Sequence, residues 1–293
     1  MLPDFFIVGA PKAGTTSLYR YLKQHPDVFL PDIKEPNFFS STELLADNLY
    51  YNAKIITDLQ EYRALYSGDG DGRVRGDASV SYLFYPQVPQ RIKEMVPDAR
   101  IIIMLRNPVD RAYSHYLMDK RLGYVNISFE EIVMRQSTHK LQRLFYQQFV
   151  EIGLYADQVE RYLKVFGENN VHIILFEDFA ENVFDCLKQV CLFLDISPEY
   201  ELKIEQHNAF GFPGNKISGW IYGSRLVRKC FGSILPKAGK KFLKDLVLSD
   251  KQKPPISREV VNTLWNLYEK DVERLSILLK RDLVTCWRNQ DEN

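Results

Sequence analysis

The first 26 residues contain the feature that most constrains the fold, a short apolar run followed by a glycine loop and a helical pattern. The apolar run covers residues 4–8, and the loop reads G-A-P-K-A-G-T-T from Gly9 to Thr16. Leu18, Tyr21 and Leu22 then recur at the spacing of one helix face. Backbone amides of such a loop, with the N-terminus of the following helix, bind anions. The pattern predicts a strand, an anion-binding loop and a helix.

Two further apolar runs extend this pattern. Arg100–Leu105 reads R-I-I-I-M-L and Val171–Phe176 reads V-H-I-I-L-F, and both are typical of strands that are buried on both faces. Pro108 stands where a helix would begin after the first run, and a helical pattern from Glu181 to Leu194 follows the second. Strands that alternate with helices predict an α/β, P-loop-type three-layer fold with a central parallel sheet flanked by helices.

We expect one domain over residues 1–293. Arg258 to Lys280 has the apolar spacing of a long amphipathic helix. Residues from about 207 to 257 are richer in Gly, Pro, Lys and aromatic residues, and their periodicity is weak. We interpret this part as a less regular, basic and aromatic substrate segment within the single domain.

The charge balance limits the classes of partner. The 293 residues include 38 Lys plus Arg and 38 Asp plus Glu, so the formal net charge is zero. Since a chain-wide basic field is absent, any anion site has to be built locally, and we expect no nucleic-acid partner. The four cysteines are scattered without zinc spacing, which predicts reduced thiols and no metal site.

The sequence shows neither a membrane span nor a signal peptide. No apolar run reaches the ~20 residues of a membrane span. The N-terminus has no basic start followed by an apolar stretch and a cleavage site. We therefore expect a cytoplasmic protein.

His115 is expected on a helix surface, whereas Cys186 and Cys191 are expected to pack in the core.

The glycine loop differs from the nucleotide-binding loop of ATP and GTP enzymes. Gly9 and Gly14 have the Walker A spacing, but Thr15 occupies the position of the Walker lysine, and the loop's lysine is Lys12. A P-loop kinase or NTPase needs that lysine on the β- and γ-phosphates of its nucleotide. This enzyme class stays open as an alternative, although the loop favours a shorter anhydride.

A second candidate anion site follows the run at residues 100–105. Arg106 stands at the end of the predicted strand, and Ser114 comes eight residues later, about two turns along the predicted helix. Ligands of open parallel sheets bind at these strand ends, and arginine presents a planar fork to phosphate. The other interpretation is a structural Arg106 paired to Asp110. Two anion sites together suit a nucleotide with a 5′ anhydride and a phosphate on its ribose 3′ position.

These motifs resemble those of the sulfotransferase family, especially its Golgi glycan and bacterial branches. The segments that carry the resemblance are Pro11–Ser17, Leu105–Ser114 and Lys34–Phe39, the last of which reads K-E-P-N-F-F. The resemblance implies 3′-phosphoadenosine 5′-phosphosulfate (PAPS) as co-substrate and no metal. It also implies that a sulfuryl group is transferred to a hydroxyl or amine of a glycan, glycolipid, or small alcohol or phenol.

The resemblance assigns roles to individual residues. Lys12 would neutralise charge on the leaving nucleotide, and Glu35 would take the proton from the acceptor. The 5′-phosphosulfate is expected on the loop, and the 3′-phosphate on two side chains further along. The residues are Lys12, Ala13, Gly14, Thr15, Thr16 and Ser17 for the loop, and Arg106 and Ser114 for the 3′-phosphate.

One segment departs from the family pattern. Glycan sulfotransferases carry E-K-T/S after a core strand, whereas this chain has Asp77, Ala78 and Ser79 there. Ala78 thus replaces a lysine, and Asp77 becomes the reserve candidate for the base. The missing lysine also leaves open a non-catalytic protein that binds a nucleotide or a glycan on the same scaffold.

The segment from Trp220 to Lys244 has seven basic residues, no acidic residue and interleaved aromatic residues. One interpretation is a solvated surface whose aromatic residues pack into the core. The other is an acceptor-binding flap that attracts an anionic acceptor, which is possibly a saccharide or lipid-linked, or makes peripheral contact with an anionic membrane.

Overall fold

The computed structural model describes residues 1–51, 54–67, 72–203, 212–213, 248–249 and 254–288. Five parallel strands form its central sheet in the order β2-β3-β1-β4-β5. These strands are β1 (Phe5–Gly9), β2 (Val28–Phe29), β3 (Val74–Ala78), β4 (Arg100–Leu105) and β5 (Val171–Leu175). Phe212–Pro213 (β6) and Leu248–Ser249 (β7) form a separate antiparallel pair. The strands predicted at β1, β4 and β5 are confirmed, although Phe176 begins a helix instead of ending β5.

Helices follow most of the strands, as the alternating pattern predicts. In chain order they are α1 (Thr15–Leu22), α2 (Ser41–Asp47), α3 (Leu59–Ala64), α4 (Val88–Met95), α5 (Pro108–Arg121), α6 (Phe129–Val133), α7 (Gln142–Phe149), α8 (Ala156–Phe166), α9 (Phe176–Glu181), α10 (Val183–Phe193), α11 (Arg258–Leu279) and α12 (Leu283–Arg288). Short 3₁₀ turns cover Glu151–Gly153 and Glu168–Asn170. The long C-terminal helix is confirmed, since α11 ends one residue before the predicted Lys280.

The central strands are buried on both faces. Phe5 to Val8 of β1 and Ile101 to Leu105 of β4 have no exposed surface. A strand between two others can be covered in this way only if helices pack on both sides of the sheet. The predicted three-layer α/β architecture is therefore confirmed. It matters for function because β1, β3 and β4 are neighbours and run in the same direction, so their carboxyl ends lie along one edge.

The C-terminal helices pack onto the same core. α11 contacts α5, α6 and α8, and α12 packs against α11. Leu264, Tyr268, Val272 and Leu275 of α11 are fully buried, which is the apolar face that the sequence predicts. Trp287 of α12 is also fully enclosed, and its carbonyl accepts a hydrogen bond from Asn107 at the end of β4. The end of the described chain thereby returns to the edge of the sheet where the predicted site lies.

Some predictions fall outside the described residues. Most of the segment at 207–257, including the basic stretch from Trp220 to Lys244, is not described, so the substrate segment and the single-domain interpretation stay predictions.

Of the helices that are described, none is long and apolar enough to cross a membrane. Cys191 is buried, and Cys186 is half-buried against the core, as expected for packing residues.

Candidate active site

The loop between β1 and α1 has two residues with positive φ angles, a conformation that favours glycine. Gly14 has a φ of +93°, and a Cβ there would lie 3.1 Å from the Phe176 ring and 3.2 Å from the Met104 methyl group. Glycine is therefore required by both conformation and space. Lys12 also has a positive φ, +70°. The loop is thus held in a tight, defined turn directly before α1.

The first turn of α1 is suited to an anion. No side chain caps it, and it contains no acidic residue. The amide groups of an uncapped first turn carry a partial positive charge. Thr15 is buried, while Thr16 and Ser17 are half-buried at this end of the helix. The geometry supports the predicted phosphate cradle, with the hydroxyl groups beside the helix N-terminus.

Lys12 lies at the boundary between the loop and α5. Its Nζ donates to the Met118 sulfur at 3.4 Å, and its backbone carbonyl has a long contact of 3.5 Å with Arg106 Nη1. A thioether is a weak acceptor, and the charge of Lys12 also acts on the Asp119 carboxylate, whose pKa it lowers. Since Lys12 follows β1 and Arg106 follows β4, this contact shows that the two predicted anion sites are adjacent at the sheet edge.

Arg106 is largely enclosed, with 12% of its side chain exposed. Its guanidinium stacks on the Phe176 ring at 4.5 Å and pairs with Asp110 at 3.2 Å. The structural ion pair considered from the sequence is therefore present. It does not satisfy the whole guanidinium, because the buried Nε has no hydrogen-bond partner among the described residues. This nitrogen is covered by the surrounding residues, as are the Nε atoms of several other arginines.

The helix after Arg106 carries Ser114, and its start was correctly predicted at Pro108. Asn107 caps this helix, since its side-chain oxygen accepts from the amides of Val109 and Asp110. Ser114 is 3% exposed and lies on the same helix about two turns along. The structure thus places the second predicted side chain of the 3′-phosphate site on the element that begins beside Arg106.

The segment Lys34–Phe39, here called the Glu35 loop, lies beside the end of β3. The Glu35 amide donates to the Ala78 carbonyl at 3.0 Å. Lys34 pairs with the Glu35 carboxylate, which is 38% exposed. Because Ala78 pairs with Ile7 of β1, the Glu35 loop is brought to the sheet edge next to the Lys12 loop. The Glu35 carboxylate is therefore partly exposed beside this edge of the sheet.

Asp77, the reserve candidate for the base, has a different environment. It is completely enclosed, and its carboxylate accepts hydrogen bonds from Tyr62, Ser79 and Tyr82 at 2.7, 2.7 and 2.9 Å. Burial raises its pKa to about 6, although these hydroxyl donors and the charge of Lys34 act in the opposite direction. A carboxylate with three donors and no exposed surface cannot reach an acceptor hydroxyl without rearrangement.

The structure adds a buried polar group near Lys12 that the sequence did not indicate. Asp119 is 2% exposed and accepts a hydrogen bond from the Tyr50 hydroxyl. Burial raises its pKa to about 7, while the Tyr50 hydrogen bond and the charge of Lys12 lower it. His115 lies 3.8 Å from this carboxylate and is 4% exposed, so its predicted surface position is wrong. No local pattern in the sequence of α5 indicates that these two side chains are buried.

The described residues do not form the pattern of a metal site. In the described ranges, no group of three or more His, Cys, Asp or Glu is arranged to hold a metal ion. The charged residues that follow the strands at this edge include Lys12 and Arg106, with Asp110 paired to Arg106 and the Lys34–Glu35 pair beside the end of β3.

Comparisons with known proteins identify the family. A family model described as a sulfotransferase domain matches residues 2–215. The chain is also 34% identical to a sulfotransferase of known structure from Alicyclobacillus acidocaldarius. That similarity covers 98% of this chain and 99% of the other, with a TM-score of 0.70.

The chain also matches parts of larger curated proteins. It is 27% identical over 214 residues to a bifunctional heparan sulfate N-deacetylase/N-sulfotransferase of Drosophila melanogaster, covering 67% of this chain and 20% of that protein. It is 33% identical over 166 residues to the human heparan sulfate glucosamine 3-O-sulfotransferase 6, covering 56% of this chain and 44% of that protein. The chain thus spans less than half the length of these relatives. The family model and the bacterial structure together show that this chain belongs to the sulfotransferase family.

Proposed function

We propose that this sulfotransferase moves a sulfuryl group from PAPS to a hydroxyl or amine of a saccharide-containing acceptor. The observation that carries the proposal is the 3.5 Å contact between Arg106 Nη1 and the Lys12 backbone carbonyl, which brings the loop after β1 next to the residue that follows β4. A donor with a 5′ phosphosulfate and a 3′ phosphate presents two anionic ends to these two places.

The residues present fit such a donor. The uncapped first turn of α1 and the hydroxyl groups of Thr15, Thr16 and Ser17 suit the 5′ end. The planar guanidinium of Arg106 suits the 3′ phosphate, with Ser114 as an additional hydroxyl on α5. Position 14 of the loop has to be glycine, because Phe176 and Met104 leave no room there for a side chain.

Charge stabilisation and proton removal would come from two different residues. Glu35 accepts the acceptor's proton while the acceptor oxygen or nitrogen forms a bond to sulfur. The bond between sulfur and the bridging oxygen breaks, and its electron pair stays on the 5′-phosphate. Lys12 stabilises the negative charge that grows on that oxygen, which is where a fixed cation contributes most to rate.

Relatives favour a glycan acceptor. The names of the curated relatives include heparan sulfate and glucosamine, and carbohydrate sulfotransferase 15 of Homo sapiens is 29% identical over 248 residues. We extend this acceptor class to the chain because its Glu35 loop has the accessible carboxylate that a sugar hydroxyl needs. A polysaccharide of uronic acid and glucosamine is the first acceptor to test.

Donor binding is tested with the desulfated product, 3′-phosphoadenosine 5′-phosphate, in the presence of a chelator. At a hundred times its dissociation constant, it should raise the free energy of unfolding by about 2.7 kcal/mol. Stronger stabilisation by ATP with magnesium would instead indicate a kinase or NTPase.

Catalysis is tested by single-turnover transfer from labelled PAPS to heparan, chondroitin and simple phenol acceptors. Labelled product is expected with at least one glycan, and Glu35→Gln should reduce its rate on the order of 10²–10⁴-fold without weakening nucleotide binding. Retention of unchanged donor with every acceptor would support the non-catalytic alternative. Near-full activity of Glu35→Gln would move the base to another group.

A further inference from the structure

The backbone of the Glu35 loop adopts an unfavourable conformation at two positions. Glu35 has a φ of +62° and Asn37 a φ of +55°, so two non-glycine residues adopt the left-handed conformation within three positions. Each such residue is less stable than in an ordinary backbone conformation. A loop with two of them persists only where its surroundings fix it.

The segment after β3 supplies that support. The Asn37 amide donates to Ser79 Oγ at 3.1 Å, and the Ser81 hydroxyl donates to Asn37 Oδ1 at 2.7 Å. Asn37 Nδ2 in turn donates to the Glu35 carbonyl at 2.8 Å. Asn37 is 4% exposed and Ser79 is not exposed at all, so water does not replace these bonds.

Asp77 lies at the other end of this chain of hydrogen bonds. Ser79 donates its hydroxyl proton to Asp77 Oδ1 at 2.7 Å, which leaves the Ser79 oxygen oriented to accept from Asn37. Tyr62 and Tyr82 donate to Asp77 Oδ2. Tyr62 also stacks on Phe38 of the loop at 4.3 Å, and Tyr82 receives the Phe39 amide at 3.4 Å. All three donors to Asp77 therefore touch the Glu35 loop.

We propose that Asp77 is a positioning residue for the base: through Ser79, Tyr62 and Tyr82 it holds the left-handed Glu35 loop so that the Glu35 carboxylate faces the acceptor. This inference rests on the proposed role of Glu35. It also removes Asp77 as an alternative base, since every hydrogen bond of its carboxylate is used to fix the loop.

The position of the loop can be measured without turnover. Ser79→Ala removes one donated and one accepted hydrogen bond of the serine hydroxyl. Ser276→Ala is a matched control, because that hydroxyl also donates once, to the Val272 carbonyl, and accepts once, from the Leu283 amide. Amide hydrogen exchange of a peptide covering residues 33–40 should be roughly tenfold faster in Ser79→Ala and in Asp77→Asn, and unchanged in Ser276→Ala. Unchanged exchange in both loop variants would overturn the proposal.

Kinetics then test whether the loop acts through Glu35. Ser79→Ala and Asp77→Asn should lower kcat by about 10- to 100-fold, the cost of slight misplacement of a catalytic group. Affinity for 3′-phosphoadenosine 5′-phosphate should stay within about twofold, and Ser79→Thr, which retains a hydroxyl, should restore most of the rate. In a Glu35→Gln background, Ser79→Ala and Asp77→Asn should lower kcat only slightly further, because the effects of substitutions in groups that act as a unit are not additive.

The outcomes separate this inference from the proposed function. If wild-type protein transfers no sulfuryl group, the proposed function fails, while the exchange data still decide whether Asp77 holds the loop. If the wild type transfers the group and Ser79→Ala loses the same factor with Glu35 present or replaced, the loop does not act through Glu35, and the positioning role is wrong.

Discussion

Lys12 and Arg106 touch through a backbone carbonyl, yet their side chains have different surroundings. The Lys12 ammonium meets the Met118 thioether, whereas the Arg106 guanidinium is enclosed between Phe176 and Asp110. The Lys12 ammonium extends from the loop that is proposed to bind the 5′ end of the donor, which is where charge grows during the reaction. An enclosed guanidinium with an ion pair is held in one orientation and suits a phosphate that does not change. The two residues should therefore contribute to different steps.

We expect Lys12→Ala to lower the turnover rate far more than it lowers affinity for 3′-phosphoadenosine 5′-phosphate. Arg106→Ala should chiefly weaken nucleotide binding, by about 1.5–3 kcal/mol for a lost hydrogen bond to a charged group. Arg106→Lys is the matched control, since it keeps the charge but loses the planar fork and part of the ring contact. Calorimetric binding and single-turnover rates check this. Equal losses of binding and rate in both alanine variants would contradict it.

At the level of residues, the sequence indicated the side chains that follow strands and missed those that meet through the fold. Lys12 and Arg106 lie at the predicted edge because each follows an apolar run with a clear local signal, whereas Glu35 is indicated by the family resemblance of Lys34–Phe39. Asp77 is separated by 15 positions from Tyr62, and its burial depends on how α3 packs, which no local pattern encodes. The buried Asp119, with its Tyr50 partner 69 positions away, was missed for the same reason.

Among the elements, α5 is fixed at its start by one side chain. The Asn107 side-chain oxygen accepts from the Val109 amide at 2.9 Å, and its amide group donates to the Trp287 carbonyl at 2.9 Å. The cap therefore joins the helix that carries Ser114 to the last described helix, α12. Asparagine before a proline is a recognisable helix start, but the partner in α12 could not be predicted from the sequence.

Asn107→Ala should lower the free energy of unfolding by about 2–4 kcal/mol, the sum of a lost cap and an unpaired buried carbonyl. Ser257→Ala is the comparison, because Ser257 caps α11 through the Val260 amide but is exposed; it should cost about 1 kcal/mol. Urea unfolding measures both. A loss no larger than that of Ser257→Ala would show that the Trp287 contact does not contribute to stability.

The elements themselves were predictable to different degrees. β1, β4 and β5 are runs of apolar residues long enough to be read directly. β2 has only two residues, Val28 and Phe29, and was not predicted, because a pair of residues has no periodicity. Its place at the sheet edge comes from pairing with Val74 and Arg75 of β3.

The whole molecule carries buried carboxyl groups whose ionisation opposes folding. Burial raises the pKa of Asp77 to about 6, above its ordinary value of 3.8. The folded state therefore keeps this proton over a pH range in which the unfolded chain has lost it. The resulting stabilisation is complete below the unfolded pKa and is lost as pH rises towards the folded pKa. Burial lowers the pKa of His115, which acts in the opposite direction at acidic pH.

A difference measurement isolates the contribution of Asp77. The free energy of unfolding of the wild type, minus that of Asp77→Asn, should fall by on the order of 3 kcal/mol between pH 4 and pH 7, which corresponds to about two pKa units. Asparagine does not titrate, and the contributions of His115 and other groups cancel in the difference. Denaturant unfolding at closely spaced pH values checks this. A difference that is flat with pH would show that Asp77 is not protonated in the folded state.

The hydrogen bonds between the Glu35 loop and residues 77–82 limit how new specificities can arise in this scaffold. Glu35 and Asn37 are held by residues that follow a different strand, so the two segments must be exchanged together, although they are distant in the chain. Lys12 and Arg106 follow β1 and β4 and can stay unchanged during such an exchange. A chimera that receives residues 34–39 alone would inherit a carboxylate without its supports, whereas one that also receives residues 77–82 and keeps a tyrosine at position 62 would inherit the hydrogen bonds through Asp77 as well.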